Sequence, residues 1–176
     1  TTALSAGAGG DTISVRTIQG DTSVDAGAGA DAINVGSLAP TAGGTVNGIV
    51  GRLTIEGGSD TDTLNVDDTG DAASNTGTLS ATELLGLGMG AGIGYQGVEQ
   101  LNISTGAGDD AFNVRGTSAV TNLSLNAGDD RIYVSSEANA APSSDARIGF
   151  LRGNLDALRG ALNIDAGTGR HRLMIS

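Results

Sequence analysis

Aliphatic and polar residues alternate in short strings along this chain. After each of six Gly-rich turns, every second residue is apolar: Ile13 and Val15, Ile33 and Val35, Leu64 and Val66, Phe112 and Val114, Ile132 and Val134, Leu173 and Ile175. The positions between them are mostly Ser, Asn, Thr, Ala or Arg. A period of two is that of an extended strand with one buried face. The strings ahead of the turns alternate likewise, at Leu53 and Ile55, Leu101 and Ile103, Leu123 and Leu125, Leu162 and Ile164. Further strands are predicted within 76–83, 84–87 and 92–101. The stretch 150–159 has some i, i+4 apolar spacing, and its Gly153 and short length limit it to a single helical turn on a loop.

The turns recur at fixed distances. They are Ala6-Gly7-Ala8-Gly9-Gly10-Asp11, Ala26-Gly27-Ala28-Gly29-Ala30-Asp31, Gly57-Gly58-Ser59-Asp60-Thr61-Asp62, Thr105-Gly106-Ala107-Gly108-Asp109-Asp110, Asn126-Ala127-Gly128-Asp129-Asp130 and the degenerate Gly167-Thr168-Gly169-Arg170-His171. Asp11 to Asp31 is 20 residues, as is Asp110 to Asp130, and Asp11 to Asp110 and Asp31 to Asp130 are both 99. Asp62 to His171 is 109, which places about ten inserted residues within 135–160, around Ala141-Pro142-Ser143-Ser144. Residues 1–97 therefore read as a first large repeat and 98–176 as a second, truncated one, within one continuous structure. The chain ends at Leu173-Met174-Ile175-Ser176 in what reads as mid-strand, so a piece of a longer array is expected.

A 20-residue unit holds two short strands and two turns and cannot bury its apolar face alone, whereas stacked units can. The predicted fold is all-β: a right-handed parallel β-helix or β-roll solenoid with coils of about 20 residues and some enlarged coils, equivalent strands lying ~4.8 Å apart. The Asp turns are expected in a single column along one edge. Neighbouring solenoid repeats, of the same or an identical chain, are the expected partners, because the open ends of such a stack are unpaired edges.

Composition sharpens this picture. Of 176 residues, 30 are Gly, a load that repetitive turns accept and helices do not. The net charge is −11, which excludes a nucleic-acid partner that would need a basic stripe. No apolar run approaches ~18 residues, so no membrane span is predicted. There is no Cys to form disulfides. The acidic residues are nearly all Asp, with Glu only at Glu56, Glu83, Glu99 and Glu137, and every basic side chain is Arg apart from His171.

The Gly-Asp turns match the nonapeptide G-G-x-G-x-D-x-U-x of calcium-binding β-helices. Glycines let carbonyl oxygens turn inward, and Asp supplies a charged oxygen. Calcium takes about 6–8 oxygens, more than one turn offers, so two stacked turns would share an ion. The candidate metal residues are Gly7, Gly9, Asp11, Gly27, Gly29, Asp31, Gly58, Asp60, Asp62, Gly106, Gly108, Asp110, Gly128 and Asp130. Asp11 should face Asp31, and Asp110 should face Asp130, across Ca2+. Asp109 and Asp129 are expected to point outward. Arg170, His171 and Arg172 replace the ligands of the last turn, so no site is predicted there. The competing view is that these are plain turns whose Asp residues bond their own backbone amides.

These six turns resemble the repeats-in-toxin (hemolysin-type) calcium-binding family. More broadly, Asp62 to Asp71, the Gly86-Leu87-Gly88-Met89 stretch and Gly169 to Leu173 are similar to repeat units of giant exported bacterial surface proteins. That resemblance implies a calcium-filled β-roll or β-helix that folds after export, with an extracellular, secreted or cell-surface location. It departs from tandem nine-residue arrays at Arg16-Thr17-Ile18-Gln19-Gly20-Asp21, which lacks the full pattern. The expected function is a calcium-stabilised structural or adhesive module, not an enzyme, with a cell-surface or glycan partner. The alternatives are a carbohydrate-active or ligand-binding solenoid for ice or glycan, and a self-assembling filament or surface-layer subunit without metal. His171 lacks a base–nucleophile setting. Aromatic sugar platforms are missing, with Tyr95 and Tyr133 the only Tyr, and outward Thr12, Ala32, Thr63, Ala111 and Arg131 break any ice-binding rank.

Overall fold

The alternating strings do become strands, and the chain places successive ones in two different sheets. The computed structural model describes residues 1–140 and 152–176. Among these the protein is all-β, with no helix and with predominantly parallel sheets. The larger sheet runs, in spatial order, β1 (Thr2–Ala8), β3 (Thr22–Ala28), β5 (Leu53–Ser59), β9 (Ile93–Gln96), β8 (Glu83–Gly86), β7 (Thr76–Leu79), β11 (Ala111–Val114), β13 (Arg131–Val134) and β15 (Arg172–Ile175). The smaller runs β2 (Thr12–Val15), β4 (Ala32–Val35), β6 (Thr63–Asp67), β10 (Gln100–Ser104), β12 (Val120–Ser124) and β14 (Leu162–Asp165). The sheet passes from β6 to β10 without a break, so the two large repeats share one pair of sheets.

The register follows the repeat length. Leu4 lies beside Val24, Ile13 beside Ile33 and Phe112 beside Ile132, all 20 residues on. The inward positions thereby form files of aliphatic side chains. In the smaller sheet one file is Val15, Val35, Val66, Ile103, Leu123 and Ile164. In the larger sheet Leu79, Val114, Val134 and Ile175 form another. Most of these side chains are buried in one continuous core between the sheets. Each fully buried Val, Leu, Ile or Phe contributes about 1.5–3 kcal/mol. Phe112 and Tyr95 are the rings in that core, and Phe112 fits because Gly77 lies beside it; a Cβ there would sit 2.5 Å from the ring.

Because every strand of the larger sheet except β8 runs the same way, its exits all lie on one edge and its entries on the other. We call the connections from larger to smaller sheet outbound turns and the opposite ones return turns. The first three Gly-Asp turns, ending at Asp11, Asp31 and Asp62, are outbound; those ending at Asp110, Asp130 and His171 are return turns. The expected single column of aspartates is therefore two columns on opposite edges. The cause is the interval between Asp62 and Asp110. There the chain visits the larger sheet once more, as the β7–β8–β9 meander, before β10 takes it to the smaller sheet. The repeat thus re-enters half a circuit out of phase. β8 pairs antiparallel with both neighbours, which the expectation of uniformly parallel strands did not include.

Two further expectations are corrected. Gly7, Gly27 and Gly58 are not in turns: β1, β3 and β5 continue through them in register, and each turn proper is confined to the residues just before its Asp. The segment 152–159 forms no helix; Leu158 N–H closes a turn onto the Leu155 carbonyl at 3.0 Å. The predicted insertion around 141–144 and the start of the 150–159 stretch lie outside the described residues.

Candidate metal centre: two aspartate columns

The strand ends that lead into the outbound turns stack backbone on backbone. Gly27 and Gly58 have φ of +104° and +112°, and a Cβ on either would fall 1.9 or 1.8 Å from the carbonyl oxygen of Gly7 or Gly27 respectively. Only Gly supports both that φ and that approach. The turns are tied directly, Gly9 N–H to the Ala28 carbonyl at 2.6 Å and Gly29 N–H to the Ser59 carbonyl at 3.2 Å.

This stacking sets the aspartates in file. Asp11 N–H donates to Asp31 Oδ1 at 2.7 Å, Asp31 N–H to Asp62 Oδ1 at 2.8 Å, and Asp62 N–H to Glu99 Oε2 at 2.8 Å. On the return edge, Asn75 N–H donates to Asp110 Oδ1 at 2.8 Å and Asp110 N–H to Asp130 Oδ1 at 2.9 Å. Each carboxylate accepts from the layer before it, so both columns have the same polarity along the chain. Asp31, Asp62, Asp110 and Asp130 are buried. The expected facing pairs, Asp11 with Asp31 and Asp110 with Asp130, are therefore adjacent, joined by a direct side chain to backbone bond. His171 ends the return column, its Nδ1 3.4 Å from Asp130 Oδ2.

The other expected residues fall outside the files. Asp60 is exposed, at φ +79°, and gives Asp62 no hydrogen bond. Asp109 and Asp129 are exposed as expected, and they tie layers in a separate file: Asp129 N–H donates to Asp109 Oδ1 and Arg170 N–H to Asp129 Oδ1, both at 2.8 Å. Gly106, Gly108 and Gly128 stack closely in the return turns; a Cβ on Gly106 would lie 1.7 Å from the Asp71 carbonyl oxygen.

Several residues in these files were not read from the sequence. Glu99 closes the outbound file because the turn from β9 to β10 is stacked on that of Asp62, and its longer side chain spans the step. Asn75 opens the return file. Asp68, 1% exposed, accepts the Val46 N–H at 2.9 Å, and neighbouring Asp67 accepts the Gly44 N–H at 2.7 Å; together they pin the long 36–52 connection. The smaller sheet also carries an outward amide ladder. The side chains of Asn65, Asn102, Asn122 and Asn163 each donate to the preceding Asn, starting from Asn34, at 2.8–2.9 Å. The only sequence signal for it is Asn recurring at the same outward strand position.

Electrostatically the columns are strained. Burial pushes the carboxyls of Asp62, Asp110 and Asp130 above their usual range, against the backbone bonds that lower them. Burial raises Asp68 to about 7. Asp71, by contrast, is lowered by the Ala73 N–H and by the amides of Asn47 and Asn75.

Fit to calcium can be judged atom by atom. One oxygen of each of Asp31, Asp62, Asp110 and Asp130 accepts a backbone N–H, and the Ala28 and Ser59 carbonyls at the ends of β3 and β5 are engaged between layers. What remains is one buried oxygen with no hydrogen-bond partner on each of Asp11, Asp31, Asp62 and Asp130. Among the described residues, no group of three or more His, Cys, Asp or Glu side chains is placed to hold an ion. Each of those four layers thus offers one spare carboxylate oxygen, far from the six to eight that calcium takes.

A groove of about 220 Å³ lies beside the amide ladder, where Ala39 to Ala42 overhang Asn34, Asn65 and Asn102. No family model, no curated protein and no solved structure matches the chain, so the geometry stands as the basis for assigning a function.

Proposed function

We propose that the chain is a structural or adhesive repeat module of a large secreted bacterial surface protein, built as a right-handed parallel β-solenoid with coils of about 20 residues and some enlarged ones. The observation that supports this reading is the use made of the aspartates. Asp31, Asp62, Asp110 and Asp130 each accept a backbone N–H of the adjacent layer, so the most chemically capable side chains are spent holding layers together. Charge-assisted bonds of this kind contribute about 1.5–3 kcal/mol each.

A calcium-stabilised form of the same module is the second reading, favoured by the four partnerless buried carboxylate oxygens. Thermal melts followed by circular dichroism, with calcium and with chelator, separate the two. Saturating calcium at about 100 times its Kd would add ~2.7 kcal/mol, a rise of roughly 5–10 °C for a domain this size. An unchanged Tm assigns the columns to hydrogen bonding alone. A helix-rich spectrum, or no cooperative transition, would sink the solenoid itself.

A further inference from the structure

We infer that the groove beside the amide ladder is a subsite for one neutral pyranose unit of a glycan. The inference rests on the adhesive reading and names its ligand class and its place in the fold. Three observations carry it.

The chain builds this place twice, and the second copy is filled. In the second repeat Tyr133, Ala138 and Ala140 form a buried cluster against which Met174 packs. By the 99-residue spacing the first three are the equivalents of Asn34, Ala39 and Thr41. By the 109-residue spacing of the third turns, Met174 is the equivalent of Asn65. The pairing keeps this equivalence in space, with Tyr133 beside Met174 and Asn34 beside Asn65. The supports match too, since Arg16 and Arg115 hold the two overhangs by the Ala39 and Ala138 carbonyls. Asn34, Ala39, Thr41 and Asn65 all line the open groove. The second repeat thus closes with a phenol ring the place that the first leaves as a groove of about 220 Å³. It also clamps its overhang, Asn113 bonding both polar groups of Ala140, where the first repeat has only the shorter Ser14. A site for a drug-sized ligand takes about 300–1,000 Å³, so this one is sized for a single ring.

The walls set the chemistry of that ring. An Asn amide offers two N–H groups and an oxygen with two lone pairs. Asn65 spends one N–H on Asn34 and one lone pair on Asn102. Asn102 spends one N–H on Asn65 and one lone pair on Asn122. Each half-buried amide therefore keeps one donor and one acceptor, held in place by the ladder. A donor beside an acceptor is what two neighbouring hydroxyls satisfy, since each hydroxyl both donates and accepts. The overhang adds the apolar side chains of Ala39, Pro40 and Ala42, which suit the C–H face of a sugar ring without an aromatic platform.

The charges decide between ligands. Among the described residues that line the groove, Asp67 alone is charged. Its Oδ2 accepts the Gly44 N–H and its Oδ1 the Thr69 hydroxyl, both at 2.7 Å. An ammonium group would find that carboxylate already engaged. A phosphate, sulfate or carboxylate would find no cation in the lining. A nucleobase would find no ring to stack on. A neutral ring bearing hydroxyls fits what is left.

The test is a titration of glucose, galactose, mannose and N-acetylglucosamine into isotope-labelled protein, read by NMR on the side-chain amides. At least one sugar should shift Asn65 and Asn102 saturably and leave Asn163 unmoved, with the millimolar Kd expected of a single ring. Asn34→Tyr, which copies the plug of the second repeat, should abolish those shifts in a chain that still melts cooperatively. Should that variant not fold, Ala42→Phe on the exposed lip makes the same test by filling the groove from the solvent side. Absence of saturable shifts with every one of these sugars, in a cooperatively melting chain, overturns the inference and leaves the structural module standing. Shifts that persist in Ala42→Phe place the binding elsewhere and overturn it as well. So does tighter binding of glucuronate than of glucose, which would make the site one for anions. A chain with no cooperative β transition overturns the solenoid reading together with this one.

Discussion

The outbound and return columns are built from the same turn, yet they end differently. The outbound file Asp11, Asp31, Asp62 passes its last N–H to Glu99, a carboxylate supplied by an unrelated turn. The return file Asp110, Asp130 meets His171, whose Nδ1 approaches Asp130 Oδ2. Around them the two large repeats rebuild the same supports. Arg16 Nε donates to the Ala39 carbonyl at 2.8 Å and Arg115 Nε to the Ala138 carbonyl at 2.7 Å, each partner 99 residues on. Ile18 bridges Ile49 as Thr117 bridges Leu158. One local code therefore works on either edge of the stack. It needs only a neighbouring layer at strand spacing, and it is indifferent to which sheet the strand has come from. The outward faces do distinguish the halves. Asn113 of the second repeat is buried and pairs with both polar groups of Ala140, while its counterpart Ser14 is exposed.

The largest effect should come from stopping the layers from touching. Gly58→Ala puts a methyl 1.8 Å from a carbonyl oxygen at a left-handed φ. We expect a loss of roughly 2–5 kcal/mol, measured by denaturant unfolding, and more than for Gly108→Ala, where the clash is 2.2 Å without positive φ. Equal losses would mean that backbone strain is not what separates the two turns.

Next, Asp62→Ala and Asp130→Ala each orphan a buried N–H, of Asp31 and of Asp110, at about 1–3 kcal/mol. Asp62→Asn keeps an acceptor and removes the buried charge. It should therefore match or exceed the parent in Tm at pH 8, an outcome a calcium-bound outbound column would reverse.

Stability should also follow pH. For a carboxyl whose pKa is raised by folding, the native state binds the proton more tightly than the unfolded one. Its contribution is full below the ordinary carboxylate value of 3.8 and is lost as pH rises through the folded value, about 7 for Asp68. Asp62, Asp110 and Asp130 act in the same direction. Tm should thus fall between pH 5 and pH 8, and Asp68→Asn should flatten part of that slope. The lowered Asp71 works the other way, but only below 3.8, outside this window.

The smallest effect is expected at Asn102→Ala, which breaks the amide ladder in its middle, losing one bond to Asn65 and one from Asn122. About 1 kcal/mol is expected, since these bonds face solvent. A much larger loss would make the ladder, and not the aspartate columns, the main tie between layers.

The strands were legible because alternation depends only on neighbours two apart, and the lateral pairs because equal spacing brings equal positions side by side: Ile13 on Ile33, Phe112 on Ile132. The pairing of Asp11 with Asp31 and of Asp110 with Asp130 followed from the same arithmetic. Glu99, Asn75 and Asp68 were not legible, since their roles depend on which irregular connection stacks on which turn. Nor was the direct bond from carboxylate to amide, which arises because Gly lets the turns approach too closely to leave room between them.

By itself, then, the sequence determined the all-β class, the alternating faces, the step of the repeat and the acidic residues that recur with it, all of them set by local stereochemistry and period. The tertiary structure alone decided that the aspartates form two files on opposite edges. The phase of a repeat depends on how many strands an irregular interval contributes to each sheet. The β7–β8–β9 meander settles that through long-range pairing, which no local pattern encodes.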